Sequence, residues 1–182
     1  MERGSIFEGR VRSVSSEGLG VVEAPDKRVF FVPATWTGDV ARFQVTQLKK
    51  RHGFARLVQM ITPSTDRVQA PCPFHGFGEK SCGGCPWQFV AYDAQLAAKQ
   101  DRVVQALSRA RIEAVVLPIL PSPKFFGYRN RAQLKTDGTE LGFVAEGSRR
   151  IAPIDDCLVL SDGNRDVLKE LLTELPRADW KP

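Results

Sequence analysis

The sequence is poor in sulfur and lacks any long apolar run. Its 182 residues contain four cysteines and two methionines. The first ten residues lack the apolar region of a secretory signal, and no segment is long and apolar enough to span a membrane. These absences predict a cytoplasmic protein without membrane contact. In that compartment, clustered cysteines bind metals more often than they form disulfides.

Three of the four cysteines lie in one short segment. Cys72, Cys82 and Cys85 are spaced as Cys-x9-Cys-x2-Cys, and 71 residues separate Cys85 from Cys157. Structural zinc sites usually combine two close ligand pairs, but only one close pair is present here. Iron–sulfur clusters more often combine several thiolates from one loop with a remote thiolate. The spacing therefore favours a cubic iron–sulfur cluster over zinc, with disulfides as the third alternative.

Two adjacent glycines in the cysteine segment fit this interpretation. Gly83 and Gly84 have no side chains, so their backbone N–H groups can approach a bulky inorganic core. His75 is an alternative ligand in the same segment. A loop histidine beside Phe74 is, however, more typical of packing or of the surface.

Positive charge is concentrated towards the N-terminus. The net charge is +5, and residues 1–60 contain ten Lys and Arg against six Asp and Glu. Residues 61–182 contain sixteen against fifteen. A small basic module followed by a nearly neutral one predicts that the first module contacts a polyanion, although a solvated surface has the same composition.

The first third of the chain predicts a small barrel. Short β-rich runs alternate with Gly, Pro and Asp turns. The five predicted strands are 6–14, 20–23, 29–32, 40–48 and 54–61. Five strands in fewer than sixty residues predict a closed, OB-like β-barrel.

The remainder predicts a mixture of helices and strands. Helical periodicity covers residues 88–110, with Phe89, Tyr92, Leu96, Val103 and Leu107 on one face. Further elements are an apolar run over 115–120, a hairpin of 128–135 with 140–146, an apolar segment over 151–160 and a final helix. Ser161 or Asp162 is the predicted cap of that helix, whose buried side is Val167, Leu168, Leu171, Leu172 and Leu175.

The fold class is therefore α+β, with three parts along the chain. They are a barrel over residues 1–61, a linker with the cysteine loop over 62–87, and a partial α/β central domain over 88–182 that carries Cys157.

The order of these motifs resembles a known enzyme family. The motifs are Gly18-Leu19-Gly20, Val29-Phe30-Phe31-Val32-Pro33, Lys49-Lys50-Arg51, Cys82-Gly83-Gly84-Cys85, Phe126-Gly127-Tyr128-Arg129-Asn130-Arg131, Leu141-Gly142-Phe143 and Cys157. Over essentially its whole length, the chain looks like the N-terminal part of bacterial 23S ribosomal RNA uracil-5-methyltransferases. The resemblance implies an RNA-binding TRAM barrel and a central domain with a [4Fe–4S] cluster on Cys72, Cys82, Cys85 and Cys157.

The chain departs from this family in two ways. The segment between Cys72 and Cys82 is longer than the compact family loop. No Gly-rich S-adenosylmethionine loop, fifth cysteine or acidic base matches the family's catalytic domain. A cysteine that binds metal cannot also attack uracil C6, so no catalytic residue is predicted here. We therefore expect a fragment, a truncated product or one half of a split enzyme.

The resemblance implies a function for such a chain. It would recognise RNA, in particular ribosomal RNA, for a uridine C5-methyltransferase that uses S-adenosylmethionine. That cofactor would be needed only if a separate catalytic half is supplied. The alternatives are a stand-alone RNA-binding module without enzymatic activity and a zinc-stapled interaction domain.

Candidate RNA contacts lie in both parts of the chain. Lys49, Lys50, Arg51 and Arg56 predict a basic loop and strand on the barrel, with Phe30, Phe31 or Phe54 for base stacking. Adjacent strand residues point to opposite faces, so one of Phe30 and Phe31 must face inward. The alternative is a solvated hairpin tip above a phenylalanine core.

Two further arginines are predicted to share one face of a strand. Arg129 and Arg131 lie two residues apart, and paired guanidinium groups suit phosphate or base edges. Pairing with Glu140 or Glu146 across the hairpin is the alternative.

Overall fold

The structure is a computed structural model of the chain and describes residues 1–78, 80–146 and 148–180. Its residues form two compact units. The first contains Met1–Gln69 and Phe89–Ile119, and the second contains Ala70–Gln88 and Leu120–Pro182. These units are defined by contacts between residues and not by independent folding. The division of the chain into a barrel, a linker with the cysteine loop and a central domain therefore stays a prediction.

The first unit contains a closed five-stranded barrel, as the sequence predicts. Its strands close in the order β1-β2-β3-β5-β4. Neighbouring strands are antiparallel except for β3 and β5, which are parallel. The strands are β1 (Ile6–Val14), β2 (Gly20–Glu23), β3 (Val29–Val32), β4 (Val40–Leu48) and β5 (His52–Thr62). The last strand begins two residues before its predicted start, because residues 52 and 53 already pair with β3.

Alternating side chains fill the interior of the barrel. The rings of Phe7 and Phe30 lie 5.0 Å apart and those of Phe7 and Phe43 lie 5.5 Å apart. Each buried ring of this kind contributes roughly 1.5–3 kcal/mol to stability. Phe30 is fully buried and the next residue, Phe31, points outward, which confirms that the two face opposite sides of the sheet.

A buried carboxylate connects one end of the barrel to the segment that follows it. Asp39 is completely buried and accepts hydrogen bonds from the backbone N–H groups of Trp36 (2.7 Å) and Ser64 (2.8 Å). It also accepts two bonds of 2.7 Å from the Arg67 guanidinium, which lies 4.5 Å from the ring centroid of Phe89. This network ties the residues after β5 to the barrel.

Helix α1 (Tyr92–Arg109) also belongs to the first unit. The helix is confirmed, but its apolar face is not covered, since none of its residues is buried and Val103 is 49% exposed. The apolar run after it is also exposed, with Val115 at 91% and Leu117 at 76%. Periodicity reports which residues share a face, but it does not show what covers that face.

The second unit contains a three-stranded antiparallel sheet and one helix. The sheet order is β6-β7-β8. The elements are β6 (Lys135–Thr136), β7 (Leu141–Val144), β8 (Ile151–Pro153) and α2 (Asp162–Thr173). Its small core contains Leu141, Ile154 and Leu168.

The predicted hairpin is present, but its first strand is much shorter than predicted. At the turn, the Asp137 carboxylate accepts hydrogen bonds from the N–H groups of Glu140 and Thr139, which lowers its pKa, and Gly138 adopts a φ of 88°. Backbone groups before β6 instead form hydrogen bonds with the segment that precedes α2. The N–H of Arg129 donates to the Val159 carbonyl at 2.8 Å. These backbone groups are therefore not available to β7.

Helix α2 begins after Ser161, one of the two predicted caps. Leu168 is buried, and Leu171, Leu172 and Leu175 pack against the same core. Val167 is 52% exposed, so its predicted burial is wrong. Among the described residues, no helix has the length and apolarity needed to cross a membrane.

Candidate metal centre and nucleic-acid interface

The four cysteines line one pocket of the second unit. Cys72, Cys82, Cys85 and Cys157 are all half-buried there, and no disulfide joins them. The chain thus brings the remote Cys157 to the segment that carries the other three. Apolar and polar neighbours complete the lining, including Phe74, His75, Gln88, Phe143, Ile154 and Asp156.

Backbone hydrogen bonds hold the cysteine segment in place. The N–H of Cys82 donates to the Phe74 carbonyl at 2.8 Å. The N–H of Cys72 donates to the Gln88 side chain at 3.3 Å. Cys82 also forms an isolated β-bridge with Ala145, just after β7. The loop is therefore anchored to the end of β7.

Gly83 is required by the protein backbone itself. A Cβ atom at this position would lie 2.8 Å from the Glu146 amide nitrogen and 3.1 Å from the Val144 carbonyl oxygen. At Gly84 a Cβ atom would meet only the Cys82 sulfur, at 3.4 Å. The sequence does not distinguish the two glycines, whereas in the structure only position 83 requires glycine for steric reasons.

Burial governs the protonation of two of the thiols. It raises the pKa of Cys82, against a hydrogen bond with the Gly84 backbone. Burial also raises the pKa of Cys85, while a hydrogen bond with Gln88 and the positive charge of Arg129 act in the opposite direction. A thiol must lose its proton to bind metal. Arg129 is therefore close enough to favour the thiolate electrostatically.

His75 lines the same pocket. Burial lowers its pKa, and its ring makes an edge contact with Phe77 at 5.3 Å between centroids. The interpretation of His75 as a packing residue fits this burial. Its location also keeps it beside the four cysteines.

An ion pair next to Cys157 was missed in the sequence. Asp156 accepts hydrogen bonds from the Arg165 guanidinium, one of 2.7 Å to Oδ1, and from the N–H of Cys157 at 2.7 Å. Arg165 lowers the pKa of Asp156. The pair lies nine residues apart in the chain, and only the packing of α2 brings it together. It orders the loop that presents Cys157.

The structure shows no metal site as such. Within the described residues, no group of three or more His, Cys, Asp and Glu side chains is arranged to hold a metal ion. The four-cysteine ligand set and the [4Fe–4S] cluster therefore stay predictions.

The basic residues predicted on the barrel lie at its surface. Lys49, Lys50 and Arg51 are exposed and form the tight turn between β4 and β5, which we call the basic hairpin. The turn is closed by the Lys49 N–H, which donates to the His52 carbonyl at 2.8 Å. Within the described parts of the chain, the salt bridges do not include these three residues. Their charges therefore point into solvent without an ionic partner among the described residues.

Arg56 lies further along β5 and has a neutral partner. Its guanidinium donates two hydrogen bonds, of 3.0 and 2.7 Å, to the Gln44 side-chain oxygen. This positions the guanidinium without neutralising it.

The two arginines of the second unit are in different environments. Arg129 is half-buried beside Cys85 and Arg131 is exposed. Because the predicted strand over 128–135 does not form, the alternation that would place them on one face does not apply. Among the described residues, the ion pairs do not join either arginine to Glu140 or Glu146.

Comparison with known proteins identifies the barrel. Residues 7–65 match the TRAM domain of tRNA (uracil(54)-C(5))-methyltransferase. An uncharacterized RNA methyltransferase of Nitrosomonas europaea is 43% identical over 97% of this chain and 47% of its own length. Another, from Halalkalibacterium halodurans, is 35% identical over 96% of this chain and 39% of its own length.

The fold also matches a solved structure. The Pyrococcus abyssi tRNA (uracil-54, C5)-methyltransferase, solved with S-adenosyl-L-homocysteine, has a TM-score of 0.63 and 30% identity over 92% of this chain. The match covers 36% of that enzyme. The barrel is therefore a TRAM domain, and the chain is homologous to RNA methyltransferases. It spans less than half the length of each of these relatives.

Proposed function

We propose that this chain is the RNA-recognition and [4Fe–4S]-binding portion of an S-adenosylmethionine-dependent uridine C5-methyltransferase that acts on ribosomal RNA. The observation that carries the proposal is the TRAM barrel with its basic hairpin. Three adjacent exposed cations, none of them in a salt bridge within the described residues, form an anion-binding surface. Phosphate contacts of this kind supply most of the sequence-independent affinity for nucleic acid.

The relatives support an RNA substrate. Two are named RNA methyltransferases, and the structural relative is named as a tRNA uracil methyltransferase with S-adenosyl-L-homocysteine bound. We place methyl transfer and S-adenosylmethionine binding in the part of those relatives that this chain does not span. RNA recognition is the contribution of the chain described here.

The pocket of the second unit fits an iron–sulfur cluster in its donor chemistry. Its four half-buried thiols are the full ligand set of a [4Fe–4S] cluster, which is held by four cysteine thiolates. When bound, the cluster would tie the remote Cys157 to the loop of the other three cysteines. Methyl transfer requires no electron, so we assign the cluster a structural role. Arg129 would favour the charged thiolate of Cys85.

The test is RNA binding at several salt concentrations. Replacing Lys49 and Lys50 together with alanine should lower the slope of log K against log salt by about 1.4, since each phosphate contact on single-stranded nucleic acid contributes roughly 0.7. The matched control is Lys99→Ala with Arg102→Ala, which removes two exposed cations from α1 and should leave the slope unchanged.

Competition between RNAs tests the ribosomal substrate separately. Fragments of 23S ribosomal RNA should displace a labelled RNA more effectively than transfer RNA at equal nucleotide concentration. Equal competition would remove the ribosomal assignment and keep RNA recognition. Absence of RNA binding by the unmodified chain, or equal slopes for the two double variants, would contradict RNA recognition by the basic hairpin.

A further inference from the structure

We infer that three rings on the outside of the barrel, Phe31, His52 and Phe54, form a platform on which unpaired RNA bases stack. This inference rests on the proposed RNA recognition and specifies its ligand as single-stranded RNA. We call these three residues the outer ring cluster. His52 was not singled out in the sequence, and Phe30, which was, lies in the core.

The three rings contact one another in pairs. Their centroids lie 5.6 Å apart for Phe31 and His52, 5.6 Å for His52 and Phe54, and 5.9 Å for Phe31 and Phe54. The parallel pairing of β3 with β5 places Phe31 opposite Phe54. His52 lies two residues before Phe54 and therefore on the same face of the strand.

The barrel does not need these rings for its core. Its interior is already filled by Phe7, Phe30 and Phe43. The outer ring cluster lies on the opposite face of the sheet, and its members are only half-buried. Aromatic surface that stays in contact with water on the outside of a barrel gains from being covered by another flat ring.

The charges around the cluster suit a nucleic acid backbone. The basic hairpin leads directly into His52, and Arg56 lies on the same face two residues beyond Phe54. The nearby acidic residue Glu23 lies on β2 opposite Val29 of β3. Its charge is already paired with Arg12 at 2.9 Å and with Lys27 at 3.4 Å. A strand whose bases lie on the rings would thus have cations on either side for its phosphates.

The position of the cluster agrees with how such barrels bind. Five-stranded OB-type barrels bind oligonucleotides through the face of their second and third strands and through the loops between strands 1 and 2 and strands 4 and 5. Phe31 is on β3, and the basic hairpin is the loop between β4 and β5. Stacking on such rings tolerates any base, because every base has a flat face, but it requires that the base is unpaired.

The experiment uses single-stranded RNA of about twelve nucleotides, within the range bound by one such barrel, with one adenine replaced by 2-aminopurine. Fluorescence anisotropy of an end label reports binding, and quenching of 2-aminopurine reports stacking on a ring. We expect the unmodified chain to quench the probe and to bind the single strand more tightly than the same sequence in a duplex.

Two substitutions remove the ring faces while keeping apolar volume. Phe54→Leu and Phe31→Leu should each weaken binding at least 5-fold, since one stacked base is worth roughly 5- to 150-fold in affinity. They should abolish quenching and leave the salt slope unchanged. Val58→Ala, an exposed apolar change on the same strand, is the control and should alter neither signal.

The outcomes separate this inference from the proposed function. Binding that is lost only in the Lys49 and Lys50 double variant, with full affinity in both Phe variants, would overturn the platform and keep RNA recognition. Equal affinity for single strand and duplex without quenching would also overturn the platform. If the unmodified chain binds no RNA, both proposals fail. Thermal melting checks that each variant is folded, and quenching by the unmodified chain tests stacking without any variant.

Discussion

Asp39 is a charged residue that the fold needs in its interior. Its side chain is fully buried, and both oxygens accept hydrogen bonds from the Arg67 guanidinium. Two backbone N–H groups complete its shell. A buried carboxylate is tolerated only when such partners replace the water it has lost. The same residue thereby ties the segment between β5 and α1 to the start of β4.

Substituting Asp39 tests how much this hydrogen-bond network contributes to stability. Asp39→Asn would leave the Arg67 charge without its partner, and breaking a buried pair in this way costs about 3–5 kcal/mol. We expect a loss of that size in the free energy of unfolding, measured by urea titration with tryptophan fluorescence, to which the buried Trp36 contributes. Glu8→Gln breaks the exposed pair with Arg42, whose atoms are 3.9 Å apart, and should cost less than about 1 kcal/mol. Similar losses in the two variants would contradict the structural role of Asp39.

At the scale of elements, the cysteine loop depends on its approach to the sheet. Gly83 lies against the backbone of residues 144 and 146, which leaves no space for a side chain. Neither Gly83 nor Gly84 has a positive φ, so the requirement for glycine at position 83 is steric. The loop therefore takes its shape in part from β7, independently of any metal.

The two glycines form a matched pair for experiment. Gly83→Ala should push the loop away from β7 and destabilise the second unit, by roughly 1–3 kcal/mol as for other overpacked positions. Gly84→Ala should cost much less, because its Cβ atom would make only an ordinary contact. Chemical denaturation followed by circular dichroism measures both. If Gly84→Ala were as destabilising as Gly83→Ala, steric contact with β7 would not explain why both positions are glycine. Close approach of a cluster to both positions would then explain it.

Helix α1 shows what periodicity leaves open. Its three- and four-residue spacing correctly predicts a helix, but none of its residues is buried. The strand predicted over 128–135 fails for a related reason. The backbone of Arg129 bonds with Val159 and Ser161, and the choice between two possible partners for one extended segment is made by the surrounding packing.

At the scale of the whole molecule, the two units have very different cores. The barrel buries ten hydrophobic residues in one cluster, whereas the cluster shared by the sheet and α2 has three buried members among the described residues. The second unit also contains all four cysteines. A small core beside a pocket lined by four thiols is what we expect of a domain whose folding depends on a bound metal.

Metal removal should therefore affect the two units unequally. Anaerobically purified protein should contain about four irons per chain with matching sulfide, and Cys157→Ser should lose most of the iron. Hydrogen exchange read by mass spectrometry should then show lost protection in β6–β8 and α2, while β1–β5 stay protected as an internal control. Ser81→Ala, which changes the same loop without removing a thiol, should keep its iron.

Other outcomes of that measurement are equally informative. Zinc without iron would contradict the proposed iron–sulfur cluster but would still agree with coupling between metal binding and folding. Unchanged protection in the iron-free variant would contradict that coupling.

The sequence by itself determined the barrel. Its strands are short, alternate regularly and are separated by turn residues, so local pattern and tertiary structure agree there. The order of the cysteines, the basic hairpin and the turn at Asp137 and Gly138 were also readable, because each depends on neighbours along the chain. Tertiary structure alone decided the rest. It paired Asp156 with Arg165, joined His52 to Phe31 and Phe54, and left α1 exposed. Each of these depends on contacts between distant segments, for which spacing along a single chain contains no signal.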